Sequence, residues 1–327
     1  MTRGTMFRSS CLALLNVLLA AGISTAAAAE PGLFESRRLT PSGEYTFGIE
    51  GPAVDAMGNL YVVNHRKQGT IGRLTPGASQ SEFFADLPAG SVGNSIRFDH
   101  NGRMYVADYK NHNVFVFERG RSEPQVYFHS EQFNQPNDLT IAADGTIYAS
   151  DPHWRRRDGQ VWRITPGPEG KGRGEVMSSD RKMGTTNGID LSPDGKTLYV
   201  GESETREIWA YRLEGAKLAE PRLVKKFSDF GLDGLRTDID GKLFVTRILK
   251  GTVVMLSPEG KIEREIPLQA KEPTNLAFGG ADGRTVFVTQ RQGGFIESFR
   301  VDRPGREHCL QISVGSCDGP ARAAVSK

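Results

Sequence analysis

One phrase, written six times, restricts what this chain can fold into more than any other feature. It consists of a polar residue, an apolar alternation, a turn closing on glycine, and a β-rich run. Glu50 to Gly58 leads into Asn59-Leu-Tyr-Val-Val63, and copies begin at Asn94, Asn137, Asn187, Asp233 and Asn275. The turn glycines are Gly58, Gly102, Gly145, Gly195, Gly241 and Gly283, spaced 44, 43, 50, 46 and 42 residues apart. A period of about 40–50 residues filled with short strands is that of a four-stranded propeller blade. Each copy predicts a hairpin whose turn glycine takes a positive φ.

A third alternating run follows each hairpin, at 71–74, 114–117, 161–164, 208–213, 253–256 and 296–301. Fourth strands are expected at 82–87, 125–128, 175–177, 222–227 and 262–268. Blade six lacks one inside its repeat, and either 33–39 or 310–314 could supply it. No segment shows sustained helical periodicity, so a βαβ arrangement is excluded. The expectation is an all-β, six-bladed β-propeller with four-stranded antiparallel blades around a central metal-binding channel. It would form one domain over 30–327.

Residues 1–29 read as a signal peptide: Arg3 and Arg8, an apolar run over 12–23, then Ala26-Ala27-Ala28-Ala29. The run is interrupted by Asn16 and is marginal for spanning a membrane. The expected location is therefore periplasmic or secreted, with no membrane association after cleavage. Export would permit a disulfide between Cys309 and Cys317, with two free thiols as the alternative. The formal net charge is +2, which excludes a general nucleic-acid binder. The oligomeric state is not legible.

The residue eight positions before each turn glycine is Glu50, Asn94, Asn137, Asn187, Asp233 or Asn275. The first strand of a blade is the innermost, so six equivalent starts converge on the axis from one face. Converging carboxylates and amides repel or go unsatisfied unless something fills the middle. One Glu and one Asp balance a divalent cation. A ring of hard oxygens with no His or Cys favours calcium over zinc, with magnesium also open. The alternative is turn chemistry, in which Asn and Asp bond their own backbone. That leaves Glu50 unexplained.

The segments Glu50-Gly-Pro, Gln135-Pro-Asn137-Asp138-Leu, Asn187-Gly-Ile-Asp-Leu-Ser-Pro-Asp-Gly195 and Asp233-Gly-Leu-Arg236 stand in that order. Together they resemble the motifs of the gluconolactonase, senescence-marker-protein (regucalcin) and luciferin-regenerating-enzyme-like family, over about residues 45–300. The resemblance implies a six-bladed propeller with a catalytic divalent metal, usually calcium. It implies Glu50, Asn187 and Asp233 as metal ligands, Asn137 on metal or substrate, and Asp233 as general base or nucleophile. Asn94 and Asn275 lie outside the family's usual ligand set and would face substrate or only the channel. Sugar-lactone members often carry Arg where Gln135 stands here. Gln hydrogen-bonds hydroxyls but does not pair with an anion as Arg does.

Loops joining second to third strands lie on the face of the ring and should form the mouth of a pocket. They hold Asn64-His65-Arg66, Asp108-Tyr109-Lys110, Asp151-Pro-His153-Trp154-Arg155, Glu202, Arg247 and Gln290-Arg291. Gln135 and His153 are candidates for contact with substrate, and His153 is an alternative base. The expected activity is hydrolysis of a small lactone or ester. Phosphotriester hydrolysis and a non-catalytic calcium-stabilised binding propeller are the alternatives. No G-x-S-x-G, H-E-x-x-H or phosphate-binding Gly-Lys-Ser/Thr motif is present. Gly170 to Gly174 reads as a loop.

Overall fold

The structure, a computed structural model, describes residues 1–2 and 32–312. Residues 3–29 of the expected signal segment, and Cys317 with its expected tie to Cys309, lie outside the described residues. No described helix is long and apolar enough to cross a membrane.

Six antiparallel sheets follow one another along the chain. Blade 1 is Tyr45–Val54, Leu60–His65, Thr70–Leu74 and Glu82–Asp86, hydrogen-bonded in that order. Blade 2 runs from Gly93–Phe98 to Gln125–His129 and blade 3 from Leu139–Ile141 to Gly172–Val176. Blade 4 spans Thr186–Leu191 to Lys217–Lys226, with Ser178–Ser179 added in parallel to its outer strand. Blade 5 runs from Leu235–Thr237 to Ile262–Pro267. All six turn glycines take positive φ, from 68° to 85°, the conformation the x-Gly turns require.

Burial follows position in the blade. The second strand of blade 1 is buried at every residue, whereas its outermost strand is exposed at three of five. Adjacent blades share their cores: Ala53, Val63 and Ile71 of blade 1 pack with Ile96, Val106 and Phe115 of blade 2. Each such side chain contributes about 1.5–3 kcal/mol by leaving water.

Blade 6 is closed by the N-terminal segment. Arg37–Arg38 pairs with Phe295–Arg300, and the Leu39 N–H reaches the Ile296 carbonyl at 2.8 Å. The C-terminal candidate for this strand is a helix instead, Arg306–Ile312, which the absence of helical periodicity did not anticipate. Seven residues make two turns, too few for a repeat to register. What holds the helix is its end in the channel. Arg306 Nη2 bonds Asp190 Oδ1 and Thr140 Oγ1, both at 2.7 Å.

Above this plug the channel carries buried, paired charges. Asp138 accepts Arg97 Nη2 at 2.7 Å and Arg236 Nη1 at 2.9 Å. Pairing of this kind is the condition for burying charge. The glycine-rich stretch expected as a loop is partly the outer strand of blade 3, Gly172–Val176. A Cβ at Gly174 would stand 2.3 Å from the Phe128 ring of blade 2, so the glycines admit that aromatic side chain.

Candidate active site

Five of the six column residues, Glu50, Asn94, Asn137, Asn187 and Asp233, line one cavity of about 760 Å³ at the channel mouth. The strands bring them together because neighbouring first strands approach closely at this level. A Cβ on Gly51 would stand 2.4 Å from Ser95 Cα, and one on Gly188 2.4 Å from the Asp233 carbonyl. The Gly188 N–H donates to that carbonyl at 3.1 Å, tying blade 4 to the start of blade 5. The glycines after the column residues therefore serve inter-blade contact.

The two carboxylates are electrostatically uncomfortable. Burial pushes Glu50 well above the usual carboxylate range, and the charges of Asp233 and Asp138 push it further. Burial also raises Asp233, to about 7; Asp138 adds to the rise, while the Asn187 amide and Arg291 oppose it. Burial and like charge both disfavour the ionised form. Asn187 supplies the third element. Its Nδ2 donates to Ser203 Oγ at 2.9 Å, and its Oδ1 is buried without a partner.

Two strained carboxylates and one orphaned amide oxygen fit a hard divalent cation. Among the described residues no group of three or more His, Cys, Asp or Glu side chains is suited to a metal. The candidate set is thus this mixture of carboxylate and amide oxygens, a donor chemistry that suits calcium or magnesium better than zinc.

Asn94 and Asn137 adjoin one another, with Asn94 Nδ2 3.4 Å from the Asn137 carbonyl. Gln135 also lines the cavity. Asn275 does not. It is buried below the cavity, where its Oδ1 accepts the Leu276 N–H at 2.9 Å and its amide lies beside Glu50 and Asp138. Turn chemistry is real at this one position. His153 lines an adjoining outer recess, and its Nδ1 accepts the Arg156 N–H at 3.1 Å.

The mouth loops divide into two kinds. Asn64, Tyr109, Trp154 and Arg291 line the cavity as expected. Asp108, Asp151, Glu202 and Arg247 point inward and are buried. Asp151 accepts the backbone N–H groups of Asn134 and Gln135, at 2.9 and 2.6 Å, and Arg247 binds the carbonyls of the loop before Asp233. These residues anchor loops. Sequence reasoning missed Phe47, Gln68, Ser203, Arg206 and Phe230, which also line the cavity. They stand on loops or strand starts that do not repeat between blades, so no column marks them.

The fold and this site define a class: a six-bladed propeller with an oxygen-donor centre at the floor of an open axial cavity. The family profile described as SMP-30/Gluconolactonase/LRE-like region matches residues 49–292, and the chain belongs to that family. The gluconolactonase of Zymomonas mobilis is 26% identical over 275 residues, 73% of this chain and 75% of that enzyme. The 6-deoxy-6-sulfogluconolactonase of Pseudomonas putida is 29% identical over 176 residues, 51% of this chain and 58% of that enzyme. The crystal structure of a calcium-binding protein, regucalcin, from Agrobacterium tumefaciens superposes with a TM-score of 0.69 at 17% identity. It covers 85% of this chain and 97% of that one.

Proposed function

We propose that the protein is a calcium-dependent lactone hydrolase of the gluconolactonase type, exported to the periplasm or beyond. The observation that carries the reading is the convergence of Glu50, Asp233 and the unpartnered Asn187 Oδ1 at the floor of an open cavity. A donor set that opens on solvent suits catalysis, whereas a purely structural ion would be enclosed. The relatives named as gluconolactonases favour a lactone substrate, and the regucalcin neighbour, named as calcium-binding, favours calcium. The signal-like residues 1–29 support export.

Glu50, Asn187 and Asp233 would hold the cation, with Asn137 as a further oxygen donor. A divalent cation supplies Lewis-acid polarisation of the lactone carbonyl. Asp233, whose carboxyl sits near 7 in the metal-free protein, is placed to take a proton from the attacking water. Asn94, Asn137 and Gln135 would orient the lactone through hydrogen bonds to its oxygens.

The test is a pH-stat assay of the mature protein on aldonolactones and simple γ- and δ-lactones, with calcium and then with chelator. Turnover that stops with chelator and returns with calcium is the expected result. Absence of turnover with the metal shown to be bound would transfer the site to phosphotriesters, or to a binding role.

A further inference from the structure

Only four Phe or Trp side chains are exposed among the described residues: Phe47 at 68%, Phe83 at 54%, Phe230 at 47% and Trp154 at 40%. Three of the four line the same cavity, and Tyr109 joins them there. They come from four places around the axis. Phe47 lies on the first strand of blade 1, Tyr109 and Trp154 on the mouth turns of blades 2 and 3, and Phe230 on the loop leading to Asp233. Rings that the core does not need have been collected around one opening.

They are also held in place. The Arg291 guanidinium lies 4.6 Å from the Phe47 ring centroid and is itself tied to Glu272 at 3.1 Å. Phe230 has φ +36°, a left-handed conformation that a bulky residue adopts only under constraint. The constraint is Arg247, which donates to the carbonyls of Asp229, Phe230 and Gly231 at 2.6, 3.4 and 3.1 Å. A strained backbone that keeps a phenyl ring in solvent, three residues before the catalytic candidate, indicates a role in the cavity.

We infer that Phe47, Tyr109, Trp154 and Phe230 form a collar that selects a lactone carrying a planar aromatic group, held above the carboxylates. This rests on the lactone-hydrolase reading and names its substrate class. A cavity of about 760 Å³ is of the size that encloses a drug-sized ligand. One sugar face stacks on one ring; rings on several sides suit a ligand that is itself apolar and flat. A bare aldonolactone would sit among the amides at the floor and leave the collar in water. With a benzo-fused lactone, the oxygen of water bonds to the acyl carbon and the ring C–O bond breaks. The phenol oxygen leaves with one proton of that water, and the new carboxylic acid releases the other.

The experiment compares 3,4-dihydrocoumarin with glucono-1,5-lactone on the calcium-loaded mature protein. The expected kcat/KM favours dihydrocoumarin by at least tenfold. In Phe47→Ala and Phe230→Gly the ratio falls about five- to thirty-fold, through KM for the aromatic substrate. Phe230→Gly removes the positive-φ cost, so its melting temperature should not drop. Loss of selectivity without loss of stability separates a binding role from a structural one. Equal or better turnover of gluconolactone by the wild type overturns the collar and leaves the lactonase intact. If neither lactone is turned over, the lactonase reading fails and the collar is decided by Trp154 fluorescence with the ring-opened hydroxyphenylpropanoate. Saturable quenching, weakened in Phe47→Ala and lost in Trp154→Phe, supports it; no quenching overturns it.

Discussion

Ser203 Oγ accepts a hydrogen bond from Asn187 Nδ2 at 2.9 Å and donates one to the Leu232 carbonyl at 2.8 Å. The hydroxyl therefore decides which way the Asn187 amide faces. With Nδ2 engaged, Oδ1 is left at the cavity floor as an acceptor with no partner. Partners of metal ligands typically account for about 10- to 100-fold in affinity.

Ser203→Ala should accordingly weaken calcium binding about tenfold or more in isothermal titration. Ser203→Thr, which keeps the hydroxyl, should stay within about threefold of the wild type. An unchanged affinity in Ser203→Ala would remove the residue from the site.

Asp233→Asn tests the carboxylate itself. The side chain keeps its shape, so the fold should survive. General-base removal typically costs about 10²–10⁴ in rate, and kcat on any accepted lactone should fall by that order. The change also takes away one of two repelling charges. The chelator-treated variant should therefore melt higher than chelator-treated wild type at pH 8, and calcium should no longer shift its melting temperature. Substantial residual turnover would move the base elsewhere, with His153 the first to examine.

How much of this could be read beforehand depended on what repeats. The hairpins were legible because each blade restates the same alternation and closes on a glycine with positive φ, from Gly58 to Gly283. The column from Glu50 to Asn275 was legible for the same reason. Asp138, Arg97 and Arg236 were not. They lie one or three places beyond column residues, where other blades carry Gly51, Thr140 or Phe278, so nothing marks the position. The mouth loops misled for a different reason. Asp108, Asp151, Glu202 and Arg247 have the composition of solvated loops, yet each ends a strand where loop backbone or a charged partner needs it. An anchor and a rim residue look alike until the chain is folded. Phe47 and Phe230 gave no signal because an apolar residue near a strand is expected to be core.

A further prediction concerns pH. Asp233 in the metal-free protein titrates near 7, above its unfolded value near 4. A group with a raised folded pKa contributes stability that is present below the unfolded value. That contribution is lost as pH rises through the folded one. Chelator-treated protein should lose this contribution between about pH 4 and 7. Calcium binds the ionised form and must displace the proton, so its apparent Kd should rise about tenfold per pH unit below 7. The calcium-induced shift in melting temperature should thus be small at pH 5 and grow to pH 8. Calorimetry in two buffers of different ionisation enthalpy counts the protons released; a count of zero at pH 6 would contradict the assignment.

The last prediction addresses the far end of the channel. Asp190 is buried, which alone would raise its pKa. The Arg306 guanidinium and the hydrogen bonds from Thr140 and Thr237 more than offset this, and the carboxyl sits below its usual range. Arg306→Ala would leave that carboxylate buried with hydroxyl and amide donors only. Breaking a buried pair from one side typically costs about 3–5 kcal/mol, so the variant should lose that order of stability in denaturant melts at pH 7. Because a depressed pKa contributes stability above the unfolded value and loses it on acidification, the gap between variant and wild type should narrow towards pH 3. Arg306→Ala with Asp190→Asn should recover part of the loss, since the uncompensated charge is gone. If the double variant is no better than the single one, the helix is held by its packing, and the ion pair is incidental to closing the channel.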